Sequence, residues 1–425
     1  MNDNAKRFLT MTALIFSGEA IFGLPFVVAR IFRPTLLDTF GINNLELGIA
    51  FSLYGVIAML SYFPGGALAD VFSARAMMVT SLLTTALGGI LFAMIPSLFW
   101  LKWLFAYWGL TTILLFWAAI IRATRMWGGT KSQGRAFGIL DGGRGFLAAV
   151  LASALVMIFS ALLPQGVESA TLGEKREALS IVIGIVTGLT AFAALLVALC
   201  VPDEEGDQGS IDSPSNKPRM KPHQIIEVLK NPAVWLQGLI IVTAYTAYKG
   251  IDDISLLARD TFNMNDLESA QVSMIVFWTR PFAALAAGFL GDRFGGIETI
   301  IASFALMLLG DLVVALNLLD PSLPWIFMMN IVVTGAAVFG LRGLYFAIFD
   351  DAGVPARLTG TAVGLVSVIG YTPDIFIGPI NGYFTETYPG PLGHQYFFGV
   401  LAIFAGIGLL ASIIFRDLAK KRSQR

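Results

Sequence analysis

The chain has 425 residues, of which 56% are hydrophobic and 13% charged, with 44 Gly, 33 Phe and a formal net charge of −1. Such a composition fits lipid as solvent far better than water and excludes an ordinary soluble globular protein. The near-zero charge carries no argument for a nucleic-acid partner, and the single cysteine, Cys200, excludes an internal disulfide.

Apolar runs of about the 20 residues that a spanning helix needs occur at 9–33, 46–69, 75–96, 98–121, 134–163 and 178–201. Six more follow at 232–257, 267–290, 297–319, 323–349, 358–384 and 393–415. The expectation is an all-α polytopic membrane protein with twelve transmembrane helices in two pseudo-symmetric six-helix bundles. Lys6 and Arg7 ahead of the first apolar run resemble a secretory signal, but Glu19 interrupts that run and the helical pattern continues, so it reads as the first span.

After the first span comes LDTFGINNLE (37–46), and 222 positions later RDTFNMNDLE (259–268), with six identities in ten. The same offset pairs GGALAD, ending at Asp70, with AGFLGD, ending at Asp292, and GRAFG (134–138) faces GTAVG (360–364) at an offset of 226. The halves read as copies of one unit. In both repeated loops, Asp and Asn are expected to start the next span, with Glu46 and Glu268 in its first turn.

Between the copies, PDEEGDQGSIDSPSNKPRMKP (202–222) reads as a cytoplasmic linker, and HQIIEVLKNPAVW (223–235) as a short interfacial helix. The organisation is therefore 1–201, a linker region 202–230, and 231–425. With both ends in the cytoplasm, 19 of the 28 Lys and Arg fall inside, Arg342 among them; five fall outside, Arg33 among them; Arg30, Arg144, Lys249 and Arg280 lie within spans. That bias gives an N-in, C-in orientation. His223 and His394 are expected in solvated loops, so no Cys/His metal site can form; no cofactor is expected.

Two six-span halves, a long central loop and an acidic motif between spans two and three of each half resemble the major facilitator superfamily over essentially the whole chain. The family's loop signature matches at Gly66, Asp70 and Arg75, and again at Gly288, Asp292, Arg293 and Gly295, and departs at Val71, Ser73 and Ala74. The resemblance implies transport of a solute bound between two rocking halves. A carboxylate at a helix end can meet a neighbouring helix N-terminus and a nearby Arg, which makes these loops a conformational latch.

Ionisable residues deep in lipid are costly and usually face the bundle interior. Glu19, Asp141, Arg144, Arg280 and Asp374 all fall near mid-bilayer by helical rise. Asp141 and Arg144, three apart in GILDGGRGF, share a helix face and can pair permanently or serve a solute, and the glycines around them permit close approach of a helix or ligand. Arg280, followed by Pro281, has no acid within a turn; it meets a solute, pairs with Glu19 or Asp374, or snorkels to the lipid surface. A guanidinium can clamp a carboxylate or phosphate. GYTPDIFIGP around Asp374 has the composition of a bent or broken helix. Tyr245, Tyr248, Lys249, Asp252 and Asp253 in YTAYKGIDD are expected nearer the outer mouth, either lining the path or packing. Glu19 and Asp374 are the candidate proton carriers.

The expected function is secondary active transport of a small polar, anionic organic solute, proton-coupled, by a monomer in a bacterial inner membrane. The superfamily's nitrate and organic-anion porters resemble it loosely. A drug/proton antiporter of the same fold is the alternative, although helix five has no Pro between Gly134 and Leu163, where those exporters carry a Gly-and-Pro motif. A receptor or enzyme is a distant third, since GGTKS (128–132) lacks the spacing of a phosphate-binding loop.

Overall fold

The computed structural model describes residues 3–129, 133–203, 230–345, 348 and 366–423. Among these the chain is helical, without strands. We label the long helices α1 (Asn4–Ile31), α2 (Asn44–Val71), α3 (Ala74–Ala93), α4 (Leu98–Gly128), α5 (Gln133–Ala161) and α6 (Leu172–Cys200). In the second half they are α7 (Pro232–Gly250), α8 (Asp266–Phe294), α9 (Gly296–Ala315), α10 (Pro324–Leu344), α11 (Pro373–Thr387) and α12 (Pro391–Ser423).

Ten of the described helices are long and apolar enough to cross a membrane. The two expected spans outside that set are interrupted. The seventh passes from α7 through a 3₁₀ turn, Ile251–Asp253, into a short helix, Ile254–Phe262. The eleventh has helix at 366–370, a turn at Tyr371 and Thr372, and then α11, which is the break that its Gly and Pro content predicts. The residues expected in the linker and interfacial helix lie mostly outside the described set; Asn231 caps α7 through its side chain, with Pro232 following.

The repeated loops fold alike. Short helices Arg33–Phe40 and Ile254–Phe262 end in left-handed residues, Gly41 (φ 62°) and Asn263 (φ 52°). Asn43 and Asn265 then cap α2 and α8 in full capping boxes with Glu46 and Glu268. Packing repeats in the same way: α2 lies on α4 as α8 lies on α10, and α3 on α6 as α9 on α12. The halves meet through α2 against α11 and α5 against α8, which are equivalent contacts under a shift of six helices.

One face of each of α3, α6, α9 and α12 exposes apolar side chains at helical spacing, such as Ile403, Ile407, Leu410 and Ile414 on α12. Exposed faces this apolar suit acyl chains. The exposed Trp100, Trp103 and Trp325 near helix starts suit the headgroup level.

Candidate functional site

Two linked clusters of buried charge lie where the halves meet. In the first, Glu19 of α1 holds two guanidiniums with one oxygen: Oε2 is 3.6 Å from Arg144 Nε of α5 and 3.4 Å from Arg280 of α8. Arg144 also lies 3.5 Å from Asp141, whose side chain is 73% exposed, whereas the Glu19 side chain is 6% exposed. Arg144 Nε is buried without a hydrogen bond. Small residues make the room: a Cβ on Gly18 would meet Arg144 Cδ at 3.0 Å, and one on Gly145 would meet Arg280 Cγ at 3.3 Å.

The second cluster joins Arg30 and Arg342 to Lys249, Asp252 and Asp374. Arg30 Nε is 2.5 Å from Asp252 Oδ1. Lys249 bridges Asp252 at 2.8 Å and Asp374 at 3.4 Å. Tyr245 donates its hydroxyl to the other Asp374 oxygen at 3.0 Å. The Tyr248 ring centroid is 4.9 Å from the Arg30 guanidinium and 3.9 Å from that of Arg342. A ring edge joins the clusters: Arg144 lies 5.9 Å from Phe22, Phe22 6.4 Å from Phe26, and Phe26 4.2 Å from Lys249. In α1 the π-helical turn Gly23–Val27 widens the coil between Glu19 and Arg30 and helps one helix supply both.

Together Arg30, Arg144, Lys249, Arg280 and Arg342 outnumber by one the carboxylates Glu19, Asp141, Asp252 and Asp374 beside them. Guanidiniums placed this way offer paired N–H donors from which a carboxylate or phosphate can accept.

Several expectations need correcting. Tyr245 and Tyr248 sit inside the second cluster, not at the mouth, because α7 continues through its 3₁₀ turn and carries them deeper. Asp374 does not meet Arg280; α11 lies so close to α2 that a Cβ on Gly55 would reach the Asp374 backbone at 2.7 Å, and this turns the carboxylate toward Lys249. Arg33, counted in an outer loop, is 1% exposed and donates to Asn44 Oδ1 at 2.8 Å. Arg342, counted as cytoplasmic, stacks on Tyr248. His394 is fully buried in the first turn of α12, 2.6 Å from Asp253 and 3.2 Å from Asp260. His223 lies outside the described residues.

The sequence matches the Major Facilitator Superfamily over residues 15–379. The chain belongs to that superfamily. Inner membrane protein YqcE of Escherichia coli (strain K12) is 27% identical over 401 residues, covering 91% of this chain and 89% of that protein. Inner membrane protein YihN of the same organism is 24% identical over 424 residues, covering 99% and 97%. A bacterial homologue of the human lysosomal transporter Spinster, in an inward-facing and unoccupied conformation, superposes with a TM-score of 0.74 at 17% identity, covering 98% of this chain and 99% of that one. The nucleoside transporter NupG follows at 0.71 and 14%, covering 97% and 99%. At such identities these structures show the major facilitator fold and nothing of the cargo.

Within this facilitator the halves are fastened at the repeated-loop end. Asp38 pairs with Arg259 at 3.2 Å and Lys175 with Asp266 at 2.9 Å, while the Asn44 amide donates to Glu386 at 2.8 Å. At the opposite end, Gly66, Gly138, Gly142, Gly288 and Gly343 have open space among the described residues where a Cβ would point, and Asp141 is exposed. Of the expected latch, the Asp70 carboxylate lies outside the described side chains. Arg75 reaches Asp203 at 3.9 Å, and Arg122 of α4 donates to the carbonyls of Ala69 and Phe72 at the end of α2. Asp292 and Arg293 are exposed, with Arg293 5.2 Å from the Phe294 ring.

Proposed function

We propose that this protein is a secondary carrier for a small organic anion, driven by protons and working by alternating access as a monomer. The observation that carries the reading is Glu19: one carboxylate oxygen shared at 3.4 and 3.6 Å by two guanidiniums, with a buried Arg144 N–H left over. An anion entering from the exposed Asp141 side completes the hydrogen bonding of Arg144 and Arg280, with Arg342 and the Tyr245 and Tyr248 hydroxyls as further donors. Protonating Glu19 or Asp374 frees their cations for the solute, and deprotonation on the other side returns the cations to the carboxylates and expels it. This ties proton movement to cargo movement.

The inner membrane, with both termini cytoplasmic, is the location that the basic-residue bias and the two Escherichia coli relatives support. On that reading the structure is inward-open, and the Gly66, Asp70, Arg75 and Gly288, Asp292, Arg293 loops latch the opposite, outward-open state. The test is a thermal-shift screen of the purified protein against anionic metabolites, repeated with Arg144→Ala and Arg280→Ala, followed by uptake of the hit into proteoliposomes under an imposed pH gradient. Stabilisation retained by both variants would remove the site assignment. Uptake indifferent to the gradient would remove the proton.

A further inference from the structure

Away from the central clusters, one buried carboxylate has no cation beside it among the described residues. Asp311 lies mid-helix in α9, in the run LMLLGDLVVA, and is 2% exposed. Its Oδ2 has no hydrogen-bond partner, and no cation offsets its burial among the described residues. An ionised carboxylate in such a place is unstable without a companion charge.

Asp311 lines a cavity of about 20 Å³ among α7, α9, α10 and α12. A space above ~10–15 Å³ holds one water-sized occupant. The other polar walls are Asn330 and Thr334 of α10, four residues apart and so on one helix face, whereas Val338, Phe398 and Leu401 close the rest. Thr334 Oγ1 has no hydrogen-bond partner. Asn330 donates its amide to the Gly310 carbonyl at 3.3 Å, which leaves its Oδ1 as an acceptor. Both oxygens crowd the face of Gly310: a Cβ there would collide with Thr334 Oγ1 and meet Asn330 Oδ1 at 3.3 Å. The missing side chain at Gly310 thus lets the Thr334 hydroxyl and the Asn330 amide pack close to α9 beside Asp311.

We propose that this cavity binds one sodium ion through Asp311, Asn330 and Thr334. Carboxylate, amide and hydroxyl oxygens are the ligands of a hard cation, and no His or Cys lines the space to attract a softer one. A single carboxylate neutralises a monovalent ion, whereas a divalent ion would leave a buried net charge. The bound ion would tie α9 to α10 and stabilise the folded protein by mass action. This site contains none of the residues assigned to the anion, so the claim does not depend on the carrier reading.

The experiment is thermal unfolding of the detergent-solubilised protein in sodium, potassium and choline chloride at fixed ionic strength, together with retention of radioactive sodium. The expected result is an unfolding temperature that climbs with sodium concentration and one sodium retained per chain, both lost in Asp311→Asn. Gly310→Ala, which keeps the carboxylate and pushes the Thr334 hydroxyl aside, should weaken the sodium response at least tenfold. Should Asp311→Asn not fold, the wild-type retention and the Gly310→Ala response still decide the matter. Equal stability in sodium and choline, with no sodium retained by the wild type, would mean an acid kept neutral by a proton and overturn the proposal. Solute uptake is not the readout, so failure of the anion reading leaves this one standing.

Discussion

Arg30 and Arg342 both lie against the ring of Tyr248, yet their substitution should read out differently. Arg30 shares the nearly buried Asp252 with Lys249, so Arg30→Ala leaves that carboxylate with Lys249 alone and is expected to destabilise the fold by ~1–3 kcal/mol, measurable as a lowered unfolding temperature. Arg342 faces ring electrons and leaves no acid behind among the described residues. Arg342→Gln should therefore keep the fold and weaken anion binding about tenfold or more, seen as a raised half-saturation for uptake. Glu19→Gln tests the shared carboxylate: solute exchange across proteoliposomes should persist while accumulation driven by a pH gradient disappears. Glu19, Arg144 and Arg280 were legible in the sequence because each interrupts an apolar run. Arg342 and His394 were not, since each sits near a span end, where a few residues of register decide between water and bundle.

At the scale of helices, close approach of α2 and α11 decides how tightly the repeated-loop end shuts. A Cβ on Gly378 would meet the Gly48 carbonyl oxygen at 2.9 Å, and one on Gly382 would strike the Leu45 backbone. Backbone cannot yield as a side chain can, so Gly378→Leu is expected to cost ~1–3 kcal/mol or more. Gly66→Ala, with open space around it, should leave the unfolding temperature unchanged. A large drop for Gly66→Ala together with none for Gly378→Leu would contradict this packing. The capping boxes at Asn43 and Asn265 were readable from spacing alone, because a cap is satisfied within four residues. The break of the seventh span was not, because Asp252 and Asp253 gain their partners from α1, α11 and α12.

For the molecule as a whole, rocking requires that contacts at one end break while those at the other form. The Asp38–Arg259 bridge joins the two copies of the repeated loop across the halves, and both side chains are partly solvated. A pair of this kind is worth ~0–1 kcal/mol, enough to move a conformational equilibrium up to roughly fivefold but not to unfold the protein. Asp38→Arg should therefore slow transport at normal stability, and the exchanged pair Asp38→Arg with Arg259→Asp should recover it. With Cys200 replaced by Ser, a cysteine at Asp141 should react with an impermeant thiol reagent in inside-out vesicles and stay protected in intact cells. The reverse pattern would contradict the proposed orientation.

The sequence by itself determined the membrane class, the duplicated six-helix unit, the family resemblance and the presence of costly charges within spans. These follow from composition, period and local spacing, which act over a few residues or repeat along the chain. Only the tertiary structure decided that Glu19 divides itself between two arginines, that Lys249 rather than Arg280 holds Asp374, and that the repeated loops fasten the halves together. Those outcomes turn on which helix faces which across the bundle. A buried charge obtains its partner through space, from a residue whose distance along the chain carries no information about the match.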